Sequence, residues 1–277
     1  MKIQFLGTAA AEGVPGIFCT CENCVRSRRI GGRALRTRSQ AIIDDQLLID
    51  FPADTYAHTL LHNIDLATVS HCVITHNHSD HLYPKDIRML EPGYATMPKD
   101  YHLTFYGTKQ VEEQVRLMLG FKLEEAKISE FQRIEEFECF RAGGYEVTAL
   151  PAIHDPSSGP VFYQISDGGS MVLYAHDTHY FHEEVWAFWE KEKPYFSLVS
   201  LDCCNACLPL TYVGHMGLAE NIQVRDRMIR EGYADEKTIF VCNHFSHNGT
   251  NVVYDDFAPI ASREGFVTSY DGMVIVV

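Results

Sequence analysis

Residues 75–81 read Thr-His-Asn-His-Ser-Asp-His, and four of these seven side chains are good ligands for a first-row transition metal. The preceding residues, 69–75, are mostly apolar and β-branched, which predicts a buried strand. The ligands therefore lie on a loop at a strand end, where catalytic groups are commonly held. A plain polar turn needs Gly, Asn or Asp and has no use for three imidazoles beside a carboxylate. The stretch predicts a metal centre in which His76 and His78 turn toward one ion, and Asp80 and His81 toward a second.

The composition bounds the class of protein. The chain has 277 residues, of which 46% are hydrophobic and 22% charged, as in an ordinary globular protein. No apolar run is long enough to cross a bilayer, and residues 1–7 resemble a strand rather than a signal peptide. The formal net charge of −14 disfavours a broad nucleic-acid surface and an anionic membrane. Nine cysteines without a signal peptide indicate a reducing compartment, so we expect a cytoplasmic protein.

Three thiols fall within six residues, at Cys19, Cys21 and Cys24. They can converge on one tetrahedral zinc ion if a fourth ligand comes from elsewhere in the chain. Buried free cysteines or a redox pair are the alternatives, but the flanking sequence is polar and rich in arginine. These arginines lack interleaved aromatic residues, so a solvated face or a local anion site is a better interpretation than a nucleic-acid patch. They are Arg26, Arg28, Arg29, Arg33, Arg36 and Arg38.

Strands alternate with helices along the chain, with hairpins between them and no repeat or linker. This order favours one domain of mixed sheets covered by helices. We expect residues 122–140 to be irregular and peripheral, and the aromatic stripe at residues 180–189 to pack in the core. The predicted strands cover residues 2–6, 41–43, 47–50, 102–106, 145–150, 161–165, 171–175, 198–201 and 238–242, and the predicted helices cover residues 52–62, 83–90, 109–119, 215–230 and 251–263.

Metal-type ligands follow five of the predicted strands. They are residues 76–81, His154, Asp177, Asp202 and His244. Chance would scatter such residues over both ends of the strands, so the pattern predicts one site at a single edge.

Two further groups of ligand-type side chains are interpreted as structural. His58 and His62 lie four residues apart on one helix face, but no carboxylate or cysteine is near them in the sequence. Cys203, Cys204 and Cys207 form a rival thiol cluster. We interpret Cys204 and Cys207 as packing or incidental residues.

The order Thr-His-x-His-x-Asp-His, then a histidine after a strand, an Asp-Thr pair and a late histidine, resembles the metallo-β-lactamase superfamily over nearly the whole chain. The resemblance implies an α/β fold, the αβ/βα sandwich of two mixed β-sheets flanked by helices, with residues 1–277 as a single hydrolase domain. The Cys-x-Cys-x-x-Cys motif and the late His-Phe-Ser-His narrow the resemblance to the PhnP-type phosphodiesterases of the carbon–phosphorus lyase pathway. The resembling enzymes open a five-membered cyclic ribose phosphate. Asp202-Cys203, Gly214-His215-Met216 and Tyr270-Asp271-Gly272-Met273 resemble the same group.

The resemblance also implies a ligand set. It assigns His76, His78 and His154 to the first ion, Asp80, His81 and His244 to the second, and Asp177 to a bridge between them. Zinc, manganese and iron all suit such ligands, so the sequence does not choose the metal. Two divalent ions lower the pKa of a bridging water and so supply a hydroxide nucleophile near neutral pH.

The resemblance further implies catalytic and structural roles. Asp80 and His215 are the expected catalytic residues, Asp80 at the second ion and His215 as the general acid for the leaving group. His247, three residues beyond His244, is expected to complete a structural zinc knuckle with Cys19, Cys21 and Cys24.

We therefore expect a metal-dependent phosphodiesterase that acts on a small cyclic phosphate or a nucleotide-like phosphodiester. We expect no nucleic-acid or membrane partner and allow for a homodimer. One alternative is a ribonuclease Z-like endonuclease, although the chain shows no basic arm, or a lactone or thioester hydrolase. Another is a non-catalytic binding relative, as in the pyrroloquinoline-quinone branch that shares the cysteine cluster, although all seven catalytic ligands are present. His176, His179 and residues 82–100 depart from the family pattern and leave the substrate open.

Overall fold

Two seven-stranded β-sheets pack face to face in the computed structural model, which describes residues 1–125, 127–209 and 214–277. Six α-helices are α1 (Glu22–Ile30), α2 (Thr55–His62), α3 (Lys109–Glu125), α4 (Glu183–Glu192), α5 (Leu218–Glu231) and α6 (Tyr254–Arg263). The strands are β1 (Lys2–Gly7), β2 (Gln40–Ile43), β3 (Leu47–Ile49), β4 (His71–Val73), β5 (Leu103–Gly107), β6 (Ser129–Arg133), β7 (Cys139–Ala142), β8 (Tyr145–Pro151), β9 (Val161–Ser166), β10 (Met171–Ala175), β11 (Leu198–Asp202), β12 (Ile239–Asn243), β13 (Phe266–Thr268) and β14 (Met273–Val276).

The first sheet has the strand order β14-β1-β2-β3-β4-β5-β6, and the second has the order β13-β12-β11-β10-β9-β8-β7. Successive side chains of a strand point to opposite faces, so each sheet contributes to two apolar layers. Ile3 and Phe5 of β1 pack in the layer between the sheets with Tyr163 of β9. Trp189 of α4 lies in the layer outside the second sheet. The structure thus confirms the αβ/βα sandwich.

Parallel pairing decides where the strand-end loops gather. Strands β3 to β6 pair in parallel, and so do β10 to β13. The carboxyl ends of parallel strands lie at one edge of a sheet, which is where open α/β folds hold their ligands. In the first sheet the loop after β4 carries residues 76–81, and in the second sheet Asp202 ends β11 while Asp177 and His244 follow β10 and β12. The two sheets pack so that these carboxyl ends lie together.

Several predicted boundaries are wrong. Residues 122–140 are not irregular, because α3 continues to Glu125 and the edge strand β6 follows. Only Ser129 and Phe131 of β6 are buried, and its charged outward residues hid the strand pattern. The short helix predicted at residues 83–90 is present as a 3-10 helix, Pro84–Leu90. Helix α5 begins at Leu218, so His215 lies in the preceding loop, whose residues 210–213 are outside the described residues.

Among the described residues, none of the helices combines the length and apolar character needed to span a bilayer.

Candidate metal centre

The first donor group consists of His76, His78 and His154, whose ligand atoms lie within 4.8 Å of one another. His78 Nε2 donates to Asp155 Oδ2 at 3.3 Å, and His154 Nδ1 donates to the carbonyl of Gly214 at 3.3 Å. These bonds leave lone pairs on His78 Nδ1 and His154 Nε2, which face each other at 3.2 Å. Tetrahedral zinc would hold two such nitrogens about 3.4 Å apart, so the group fits a divalent ion.

His76 strengthens this fit. Its ring is 1% exposed, and His76 Nε2 has no hydrogen-bond partner among the described residues, which a buried polar atom rarely lacks. Burial holds the pKa of His76 well below its usual range, and burial also lowers the pKa of His154. Both imidazoles are therefore neutral at pH 7, and the neutral form is the one that binds a metal.

The second donor group consists of Asp80, His81, Asp177 and His244, which are all buried. His81 Nε2 lies 2.5 Å from Asp177 Oδ2 and 3.3 Å from His244 Nε2. Burial alone would lower the pKa of His81 and His244, but the neighbouring carboxylates raise both well above the usual range. A divalent ion bound to these nitrogens would displace the protons that the carboxylates attract, because metal and proton compete for the same lone pairs.

Asp177 reaches both donor groups. Its Oδ2 lies 3.4 Å from His76 Nε2 and 3.3 Å from His244 Nε2, and its Oδ1 lies 3.9 Å from His154 Nε2. Asp177 has φ 50° and His244 has φ 61°, a left-handed conformation that is uncommon outside glycine and asparagine. Such backbone is tolerated where the surrounding structure enforces it, often at a functional site.

The sequence analysis missed Asp50, which ends the run of β3. Asp50 is fully buried and accepts hydrogen bonds from His81 Nδ1 at 2.6 Å and from Thr75 N at 2.8 Å. A carboxylate on Nδ1 fixes the tautomer of His81 and turns its Nε2 toward Asp177. An aspartate at the end of an apolar strand was the feature that could have revealed it.

Asp202 connects the donor groups to His215. Asp202 Oδ2 accepts hydrogen bonds from His215 Nδ1 and from Asp177 N, each at 3.0 Å, and Oδ1 accepts from Cys204 N and Met216 N, also each at 3.0 Å. Burial would lower the pKa of His215, but the Asp202 carboxylate outweighs burial and raises it to about 11. His215 Nδ1 also lies 3.3 Å from Asp177 Oδ1, so the ring stands beside the donors rather than among the predicted ligands.

A pocket of about 140 Å³ opens onto both donor groups. Among the described residues its lining contains no lysine or arginine, so the positive charge that these residues supply comes from imidazoles. Cys204 is buried and is also among the lining residues, a position that its interpretation as a packing or incidental residue did not include. The lining residues are Ala10, Ala11, Glu12, His78, Asp80, His154, Asp177, Cys204, His215 and His244.

The cysteine motif meets His247. The ligand atoms of Cys19, Cys21, Cys24 and His247 lie within 4.8 Å of one another. Cys19 Sγ and Cys21 Sγ each lie 3.6 Å from His247 Nδ1. Tetrahedral zinc would hold a sulfur and a nitrogen ligand about 3.6 Å apart, so these residues fit a closed zinc site.

The remaining histidines are bound into the protein. His58 contacts Gln40 Oε1 at 2.6 Å, and His62 Nε2 donates to the carbonyl of Leu6 at 3.0 Å, which confirms their structural interpretation. His176 is buried, and its Nε2 lies 2.8 Å from the Ser200 hydroxyl of β11. It does not line the pocket. His179 does not line the pocket either. Residues 82–100 contribute to a separate apolar cavity of about 310 Å³, none of whose lining residues is a donor of either group.

Comparisons with known proteins show the family and the fold. The family model described as a beta-lactamase superfamily domain matches residues 46–234, more than half of the chain. A diphosphatase from the PhnP family has a similar structure, with a TM-score of 0.74, 18% identity, and coverage of 99% of this chain and 97% of that one. Zn(2+)-bound PqqB from Methylobacterium extorquens has a TM-score of 0.70 and 17% sequence identity, with 100% of both chains covered. The short form of human tRNase Z has a TM-score of 0.67 and 15% sequence identity, with 100% of this chain and 99% of that chain covered. No curated protein sequence matches the chain.

Proposed function

The chain belongs to the beta-lactamase superfamily, and from that membership we propose that it is a metal-dependent hydrolase that opens a small cyclic phosphate or a nucleotide-like phosphodiester. The observation that carries the proposal is the convergence of two donor groups on one small pocket, with Asp177 reaching both and His215 beside them. We treat residues 1–277 as one domain, because β1 pairs with β14 and the two ends of the chain share a sheet.

The donor set supports two divalent ions. His76, His78 and His154 would hold the first, and Asp80, His81 and His244 the second, with Asp177 shared between them. When bound, two divalent ions supply a water of lowered pKa and neutralise charge on phosphoryl oxygens. The donors are imidazoles and carboxylates, so zinc, manganese and iron all remain candidates. Cys19, Cys21, Cys24 and His247 would hold a separate structural zinc.

The chain's own residues supply the proton. His215 shares Asp202 Oδ2 with the backbone N–H of Asp177, so the carboxylate both orients the ring and stabilises its protonated form. An alkoxide leaving group needs a proton as its bond to phosphorus breaks, and a positioned acid supplies it. We assign that role to His215. Asp202 is a positioning residue that acts through His215.

The position and charge of the pocket favour a small anionic substrate. The pocket of about 140 Å³ opens onto both donor groups, so a phosphodiester group placed in it would lie against the proposed ions. Because the described part of the lining has no lysine or arginine, the phosphate charge must be balanced by the bound ions and by His215. A nucleic-acid substrate would require a basic surface to hold its backbone, and the net charge of −14 opposes that. This favours a small phosphodiester over transfer RNA.

A substrate panel tests the proposal. The purified protein, supplied with Mn²⁺ or Zn²⁺, should hydrolyse a five-membered cyclic ribose phosphate and bis-p-nitrophenyl phosphate, but neither a lactone nor precursor transfer RNA. Asp177→Ala is the matched inactive control, since contaminating phosphodiesterase activity would survive that change. Turnover of the lactone or the RNA alone would favour the alternative hydrolases. No turnover of any substrate in the metal-loaded protein would favour a binding protein.

A further inference from the structure

Cys204 is held rigidly at the wall of the pocket. It is 7% exposed and follows β11, where its N–H donates to Asp202 Oδ1 at 3.0 Å. Its carbonyl accepts from Ser246 N at 3.3 Å. The backbone of Cys204 is therefore hydrogen-bonded on both sides, and its side chain lines the pocket. Its neighbour Cys203 instead packs in the apolar layer outside the second sheet.

The thiol belongs to a third donor group that the sequence did not suggest. Cys204 Sγ and one ring nitrogen each of His215 and His244 lie within 4.8 Å of one another. A thiolate with two imidazoles is a set that zinc and cadmium favour, whereas manganese favours oxygen ligands. This group is softer than the Asp80, His81, Asp177 and His244 group, with which it shares only His244.

A second observation concerns His244. Its Nε2 faces His81 and Asp177, each at 3.3 Å. Its Nδ1 is buried, has no hydrogen-bond partner among the described residues, and lies 3.4 Å from Asp202 Oδ2. The same Asp202 oxygen binds His215 Nδ1, so the unpartnered nitrogen is on the side of His244 nearer His215. A cation bound beside Cys204 would give that nitrogen a partner.

We propose that Cys204, His215 and His244 form an inhibitory site for a thiophilic divalent cation such as Cd²⁺ or excess Zn²⁺. On binding, the Cys204 thiol releases its proton to solvent and its sulfur bonds to the ion, with no change of oxidation state. The ion then occupies His215, which can no longer give a proton to a leaving group. It also binds His244, the residue that this site shares with the second donor group. The inhibitory part rests on the proposed function, but the binding part does not.

Cadmium binding to the purified protein tests the site without relying on activity. Cd²⁺ is titrated into wild type, Cys204→Ser and Cys204→Ala, and the sulfur-to-cadmium charge-transfer absorbance is recorded. Cys139→Ser is the matched control, because Cys139 is an exposed thiol on β7. The Cys19, Cys21 and Cys24 thiols contribute equally in every variant. We expect both Cys204 variants to lose the absorbance of one thiolate while Cys139→Ser matches wild type. Equal absorbance in wild type and both Cys204 variants would overturn the site.

Inhibition is then measured on the manganese-loaded protein with whichever phosphodiester it hydrolyses. Half-inhibition of Cys204→Ser should need at least about tenfold more Cd²⁺ than wild type. Mutation of a residue that only supports a metal ligand already lowers metal affinity about tenfold or more, and Cys204 would be a direct ligand. Additional Mn²⁺ should not inhibit either protein. A cadmium–thiolate signal at Cys204 with unchanged inhibition would overturn the inhibitory role. If the protein hydrolyses no phosphodiester, the absorbance titration still decides whether the site exists.

Discussion

Replacement of His215 by alanine separates proton donation from the rest of the chemistry. Asp202 retains the backbone N–H groups of Asp177, Cys204 and Met216 after the change, so its buried carboxylate is not left without partners. We therefore expect His215→Ala to fold and to keep the donors of both groups in place. The His215 side chain lines the pocket, so the space that the ring leaves is continuous with the existing pocket.

The expected loss depends on the leaving group. General acid catalysis contributes about a hundred- to ten-thousand-fold, which corresponds to about 3–5 kcal/mol of barrier. A ribose or alkyl alkoxide needs that proton, and kcat/KM for a cyclic ribose phosphate should fall by about that factor. A p-nitrophenolate leaves without help, so kcat/KM for bis-p-nitrophenyl phosphate should fall by much less.

The assay compares the two substrates in wild type, His215→Ala and His102→Ala, with metal content measured for each. His102 is an exposed histidine whose Nδ1 donates to the carbonyl of Lys127, away from the pocket, and its removal should affect neither substrate. Equal losses on the two substrates in His215→Ala would refute proton donation and would instead mean that His215 positions the phosphate or supports the metals.

Three further predictions follow from the same structure. Asp177→Ala should lose both catalytic ions together with activity, because one carboxylate reaches both donor groups; elemental analysis that finds both ions retained would contradict the shared role. Cys21→Ser should lower the zinc content and the melting temperature while some turnover survives. The loss of folding free energy should be smaller than the about 10–16 kcal/mol that zinc contributes in zinc-finger peptides, because this fold has its own core. Cys139→Ser is the control, and unchanged zinc content and melting temperature in Cys21→Ser would exclude the knuckle. Burial lowers the pKa of His58 to about 4, below its usual value of about 6.5, so the unfolded chain binds the proton more readily and the free energy of unfolding should fall by up to about 3 kcal/mol between pH 6.5 and 4. His58→Gln should reduce that slope in chemical denaturation, and parallel curves would contradict the assignment.

The local motif was sufficient to identify the kind of site. Within residues 75–81 the donors are close because they are neighbours in the chain, so their spacing alone indicates a metal centre. The alternation of strands and helices was sufficient for the fold class, since each apolar face must be buried against another layer. Edge strand β6 was not predicted because few of its residues are buried. Strand prediction depends on the alternation of apolar and polar residues that a buried face produces.

Tertiary structure alone decided which distant side chains meet. His76 and His244 are far apart in sequence and follow strands of different sheets, β4 and β12. They come together only because the packing of the two sheets brings the carboxyl ends of these strands to the same side, where both histidines lie near Asp177. The roles of Asp50 and Asp202 are carried by hydrogen bonds between separate loops, which no local pattern encodes. Cys203 and Cys204 are adjacent and chemically identical in the sequence. Only the tertiary structure places Cys203 in the apolar layer and Cys204 at the pocket, because hydrogen bonds to Asp202 and to the distant Ser246 hold Cys204 in the turn after β11.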